Sequence, residues 1–368
     1  MKITKFSQLL KESSDLELHY FAFDWDDNIL HMPTKILMDK KVGEDWNPES
    51  VSTSKFAEVR NDKENWRLRN NNPTEAFSEF RDSGVRGDNA FIEDVKIAMK
   101  ENKLGPSWDA FVKCLSEGAL FAIITARGHE PDSLRRGVEY VMDEVLTKMP
   151  SINPGYSLAD EMFQHLKKYD YVFGLGVSGE DLQLKGKPSQ NTLVMSYLDH
   201  CAFYGVSSDS FAKEFGQASA QNPEVAKEIA LNRFIEKCNE FGQSVGAKTV
   251  SVGFSDDDPK NVEHVEKFFK EKSQLLGAGV KLSLYKTTDP TIKGGEMTKF
   301  TETSHQTPGL ESSVLPFTKW NNMTQRLYPN TKDAPFDDSH NQMKNMTKSA
   351  TDLAKNFGNK KKKTKIKK

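Results

Sequence analysis

Cysteine is scarce in this 368-residue chain: there are three, Cys114, Cys201 and Cys238, an odd number at wide spacing. Disulfide frameworks use pairs, so a stapled secreted scaffold is excluded, and the pattern predicts reduced thiols buried as packing residues. The eight histidines are scattered, and none pairs with a cysteine or a second histidine at zinc-ligand spacing. Long apolar runs are lacking too. The longest nearly uncharged stretch, Gly118 to Ala126, is about half of what a membrane-spanning helix requires, so no membrane partner is expected. In the opening MKITKFSQLLKESSD, Phe6, Leu9 and Leu10 share a helical face, but Lys5, Lys11 and Glu12 break any secretory core. The expected location is the cytoplasm. No internal repeat is present.

What is there can build a core. With 36% hydrophobic residues, 28% charged and 23 Phe, most of the chain is not a disordered polymer, and its length suits two domains or one α/β domain enlarged by insertions. The net charge of −2 hides an asymmetry: residues 341–368 hold ten Lys and one Asp, a net of +9, which leaves −11 on residues 1–340. From Met297 onward Thr, Ser, Asn, Gln and Lys dominate, which predicts a mobile, disordered C-terminal tail over 297–368. Such a lysine run either solubilises and localises the chain or attracts nucleic acid and other polyanions weakly, without sequence preference. Phe317 and Trp320 in VLPFTKWNN form a candidate docking motif within it.

Ahead of the tail, strand-like and helix-like patterns alternate, the signature of a parallel sheet covered by helices. Short apolar runs predict strands at Leu18–Phe23, Leu120–Ile124, Val250–Phe254 and Val280–Tyr285. Helices are expected over 91–101, 108–116, 131–148, 223–243 and 259–276, several with Pro at the first turn. The polar stretch from His31 to about Asn89 reads as an insertion above the sheet, and a second insertion is expected at about 150–220. The expected organisation is an N-terminal amphipathic segment (1–17), an α/β core (18–290) carrying both insertions, and the tail.

In open α/β sheets the reactive groups follow the carboxyl ends of the strands. The first run ends in FAFDWDDNIL, with Asp24 and Asp26 flanking Trp25; the second in FAIITARG, with Thr125 at its end; a later run in SVGFSDDDPKNV, with Asp256, Asp257 and Asp258 in succession. The helix pattern NPEVAKEIAL places Lys227 near its start. These groups suit phosphoryl transfer. A carboxylate attacks phosphorus only where charge is neutralised, which Mg²⁺ on oxygen ligands does well, while Lys and Thr hold phosphoryl oxygens. A second carboxylate two residues along can protonate the leaving oxygen and later deprotonate water. Crowding four carboxylates without a cation would be costly, which argues for a bound metal.

The ordered set DWDDNI, IITARG, a helix-leading Lys and GFSDDD resembles the haloacid dehalogenase-like superfamily of phosphohydrolases. The resemblance spans about residues 18–290 and implies a Rossmann-like three-layer α/β fold with a parallel sheet and a cap inserted after the first motif. It implies Asp24 as the nucleophile that becomes aspartyl-phosphate, Asp26 as general acid/base and Thr125 as a phosphoryl-binding residue. It further implies Mg²⁺ held by Asp24, Asp256, Asp257 and the backbone carbonyl of Asp26. Members lacking the second acid transfer phosphate slowly or pump ions, so Asp26 implies hydrolysis. The chain departs from the pattern at Asn28, where members usually carry Thr or Val; that residue is expected to shape the turn. For the lysine, Lys227 lies 29 residues before Asp256, near the family's usual gap, whereas Lys187 in KGKPS lies 69 before it. Lys227 is preferred and Lys187 stays the alternative.

Other features are open to more than one reading. Arg127 either binds substrate phosphate or pairs with an acid such as Glu130. His31 and His129 are expected to be solvated or capping residues near the mouth. Asp258 is expected to cap the helix from Pro259. The Gly-rich GLGVSGED, residues 174–181, lacks the ending of a phosphate-binding loop and reads as a turn. The substrate expected is a phosphorylated small molecule, a nucleotide or a nucleic-acid end. The rival is a fold retained for interaction with little turnover; the opening MKITKFSQLLKE resembles N-termini of proteins from large tailed bacteriophages, which would allow a virion-associated role.

Overall fold

The computed structural model describes residues 17–151, 153–167, 183–216, 222–244, 247–277, 279–287 and 297–304. The amphipathic N-terminal segment up to residue 16, the Gly-rich stretch 174–181, Phe317, Trp320 and the lysine run lie outside the described residues.

The chain is a mixed α/β protein. Its main sheet contains β1 (Glu17–Phe23), β5 (Phe121–Thr125), β6 (Ala202–Gly205), β7 (Thr249–Asp256), β8 (Val280–Thr287) and β9 (Met297–Ser304), in the spatial order β6-β5-β1-β7-β8-β9. The first five strands of that order run parallel and β9 closes the edge antiparallel to β8. Helices cover the faces, so the strands are apolar on both sides; every residue of β5, FAIIT, is buried. Cys114, Cys201 and Cys238 are free and buried in this core, as their spacing predicted. Among the described residues no helix is long and apolar enough to cross a membrane.

Four expectations change. Residues 202–205 fell inside the second expected insertion at 150–220, yet they form β6 and pair with β5, so this part of the chain belongs to the sheet. Residues 297–304 lie in the expected tail, yet they form β9. The helix expected over 131–148 is α-helical from Pro131 to Val141 and then widens into a π-helical turn, Met142–Leu146. The helix from Pro259 likewise ends at Glu271, and Ser273–Leu276 continues as a 3-10 turn.

The 31–89 stretch builds a second sheet. Strands β2 (Ile36–Val42), β3 (Asp45–Val51) and β4 (Trp66–Leu68) pair antiparallel in the order β3-β2-β4. One face packs its own apolar cluster of Ile36, Met38, Val51, Val59, Trp66 and Phe80. Charge pairing supports the rest, since Arg67 and Arg69 both reach Asp39, at 3.0 and 2.9 Å.

Candidate active site

Parallel register brings the predicted residues to one edge. Phe23 stands level with Ile123 of β5 and with Ser255 of β7, so the residues just beyond, Asp24, Thr125 and Asp256, emerge together. Trp25 points into the core against Phe91 and Phe111, with ring centroids 5.1 and 5.9 Å away. The aromatic anchor thereby leaves the flanking carboxylates of Asp24 and Asp26 free of the core. After Asp26 the chain reverses at Asp27, whose φ of +53° lies in the left-handed region that Asp and Asn tolerate best.

Asn28 closes this turn. Its amide donates to the carbonyls of Asp24 (2.9 Å) and Ser255 (3.1 Å), while its own carbonyl accepts from the Ser107 hydroxyl at 2.7 Å. It therefore binds the two acidic strand ends to each other, and a Thr or Val could not make all three bonds. Gly105 passes so close that an added Cβ would lie 2.4 Å from the Asn28 carbonyl oxygen.

The centre is an ion cluster. Lys227, on the helix Pro223–Ser244, lies 2.7 Å from Asp256 Oδ2 and 3.3 Å from Asp24 Oδ2, and is 1% exposed. Asp256 is further held by the Asp258 amide at 3.0 Å and by the Asn261 side-chain amide at 3.0 Å. Asp258 caps the helix Pro259–Glu271, as expected, by accepting from the Lys260 amide. Burial pushes the Asp24 carboxyl up to about 8; Lys227 opposes this, and the neighbouring charges of Asp256 and Asp26 add to it. Burial, together with Asp256 and Asp24, likewise raises Asp257 well above the carboxylate range. Burial would lower the Lys227 ammonium, but Asp24 and Asp256 more than compensate and raise it.

One lysine does not balance this charge. Oxygens of Asp24, Asp256 and Asp257 lie within 4.8 Å of one another, and Asp24 Oδ1 is buried with no hydrogen-bond partner among the described residues. A hard cation with oxygen ligands fits this donor set, and Mg²⁺ belongs to that class.

Asp26 is placed differently. Arg127 grips it in bidentate fashion, Nε to Oδ2 and Nη2 to Oδ1, both at 2.7 Å, and the Thr125 hydroxyl lies 3.4 Å from Oδ2. The guanidinium is thus engaged with an acid, although not with Glu130, which accepts from the Asp209 amide instead. Of the two readings of Arg127, the structure shows the pairing with an acid: the side chain is 1% exposed and bound to Asp26, while its Nη1 has no hydrogen-bond partner among the described residues. Of the two candidate lysines, Lys187 stands away from the cluster. It is exposed and pairs with Glu144 at 3.2 Å, while Lys227 occupies the cluster. His129 is fully buried, not solvated. The part-buried His31 contacts Asp27 Oδ1 at 2.8 Å.

The segment of the small sheet also reaches this edge. Thr53 donates to Asp27, and Arg60 lies 3.1 Å from Asp258. Spacing could not reveal these contacts, nor the Ser107 and Ser255 partners of Asn28.

No family model, curated protein or solved structure matches the chain.

Proposed function

We propose that this edge is the active site of a Mg²⁺-dependent phosphohydrolase of the haloacid dehalogenase-like kind, cleaving a phosphate monoester. The observation that carries the reading is the convergence of Asp24, Asp256, Asp257 and Lys227 from β1, β7 and one helix, with Asp24 Oδ1 left without a hydrogen-bond partner among the described residues. Asp24, Asp256 and Asp257 would hold the ion. When bound, it would supply positive charge against which a phosphate dianion can approach a carboxylate.

In this reading an Asp24 oxygen attacks phosphorus, and the bond to the leaving oxygen breaks as Asp26 supplies its proton. Water then attacks the aspartyl-phosphate, Asp26 takes the water's proton, and Asp24 is released with inorganic phosphate. Lys227 neutralises Asp24 and Asp256 between turnovers, and the Thr125 hydroxyl is a donor for a phosphoryl oxygen. The small sheet and its helix Thr53–Val59 act as a cap that selects substrate. A phosphorylated metabolite, a nucleotide or a nucleic-acid end all meet these requirements.

The rival reading, a fold kept for interaction or for a place in a virion, draws on the Arg127 grip on both Asp26 oxygens. Hydrolysis of para-nitrophenyl phosphate with Mg²⁺ separates the two. The wild type is expected to turn over and Asp24→Asn to lose at least about a thousandfold in kcat, as removal of a nucleophile does. Equal rates in both, or none in either, would favour the rival.

A further inference from the structure

Arg127 does more than neutralise Asp26. The same Nη2 that binds Asp26 Oδ1 also donates to the Thr34 hydroxyl at 2.6 Å. Thr34 is fully buried and lies two residues before β2, where the chain leaves the core for the small sheet. It donates in turn to Asp94, which Arg86 holds at 2.7 Å.

The returning chain meets the same guanidinium. Phe80, whose ring belongs to the small sheet's cluster, stacks 4.6 Å from the Arg127 carbon, and Phe91 lies 5.4 Å away on the core side. The next amide, Gly128, donates to the Phe80 carbonyl at 2.9 Å, and Arg81 and Gly128 form a bridge. Both crossings of the small sheet into the core therefore contact residues 127–128.

We propose that Arg127 is a positioning residue that couples the seat of the small sheet to the orientation of the Asp26 carboxylate. A bidentate guanidinium fixes the plane of a carboxylate, and its own plane is set by what else it binds. Here that is Thr34 on one crossing and Phe80 on the other, so a shift of the small sheet turns Asp26. Because coupling is reciprocal, a change at Asp26 must also loosen or tighten the crossing. The catalytic meaning of this coupling rests on the phosphohydrolase reading; the coupling itself does not.

Two measurements test it. The first is a double-mutant cycle on urea unfolding midpoints with Asp26→Asn and Thr34→Val, two side chains joined through one Arg127 nitrogen. Their effects are expected to be non-additive, because each side chain holds one of the two N–H bonds that orient the same nitrogen, so losing one weakens the hold of the other. Additive effects overturn the proposal. This arm does not depend on turnover, so an inactive wild type counts against the phosphohydrolase reading alone. The second is steady-state kinetics with para-nitrophenyl phosphate and Mg²⁺. Thr34→Val is expected to lower kcat about tenfold with KM unchanged, in the range found for outer residues that orient a reacting one. Thr34→Ser, which keeps the hydroxyl, is expected to restore it. A Thr34→Val enzyme with unchanged kcat, or a Thr34→Ser enzyme as slow as it, means that Arg127 is structural only. Arg127→Lys provides a further check, since it keeps the charge and loses the fork; kcat equal to wild type would likewise overturn the proposal.

Discussion

Both ring nitrogens of His129 are buried without a hydrogen-bond partner among the described residues, and Nε2 stands 4.0 Å from Asp82. Burial pushes this imidazole down to about 2, helped by the nearby charges of Arg127 and Arg86, so the folded protein holds it neutral. The unfolded chain takes up a proton near pH 6.5. His129 therefore contributes stability that is complete above pH 6.5 and is lost as pH falls toward 2, at about 1.4 kcal/mol per pH unit. Urea unfolding at pH 7.5 and pH 5 checks this. The wild type is expected to lose stability on acidification, and His129→Gln to lose less; equal losses would mean that the ring is protonated in place. Arg127 and Asn28 are further residues whose type could be read from the chain but whose partners could not. Arg127 meets Asp26 and Thr34, and Asn28 meets Ser255 and Ser107, across sequence gaps that local pattern does not span.

Between elements, the decisive contacts are those of β5, β6 and the loop that follows Thr125. An added Cβ at Gly205, the last residue of β6, would lie 2.1 Å from the His129 carbonyl oxygen and 3.0 Å from that of Arg127. Gly205→Ala must push residues 127–129 away from the edge strand. It is expected to destabilise by about 1–3 kcal/mol, the usual cost of overpacking, and a urea midpoint within experimental error of wild type would contradict that contact. The four strands with short, continuous apolar runs are legible because composition and length agree. Strand β6 is not, for AFYG is too short to show a period and follows a helix directly. The small sheet was hidden for another reason: β3 is largely exposed and polar, so its strands owe their existence to pairing and to a cluster assembled from distant residues.

Across the whole molecule, the acidic charge of residues 1–340 gathers in part at one sheet edge, where Lys227 and Arg127 offset only some of it. This gives the metal reading a stability signature. Without a divalent cation, folded Asp24 keeps its proton up to about pH 8, while the unfolded chain releases it near pH 4. The contribution of this carboxyl to stability therefore falls as pH rises through that window. An ion that replaces the proton removes the penalty, so millimolar Mg²⁺ is expected to raise the melting temperature more at pH 8 than at pH 5, relative to EDTA. Equal shifts at the two pH values, or none, would count against a cation on Asp24.

By itself, the sequence determined the alternation of strands and helices, the reduced state of the thiols, the charge asymmetry, and the chemistry waiting at three strand ends. Those follow from composition and local period, which need no partner to be read. Only the tertiary structure decided which lysine enters the cluster, that Asp26 is gripped by Arg127, and that residues 202–205 and 297–304 belong to the sheet. Each of those depends on which distant segment stands alongside. Parallel register and packing set that, and local pattern does not.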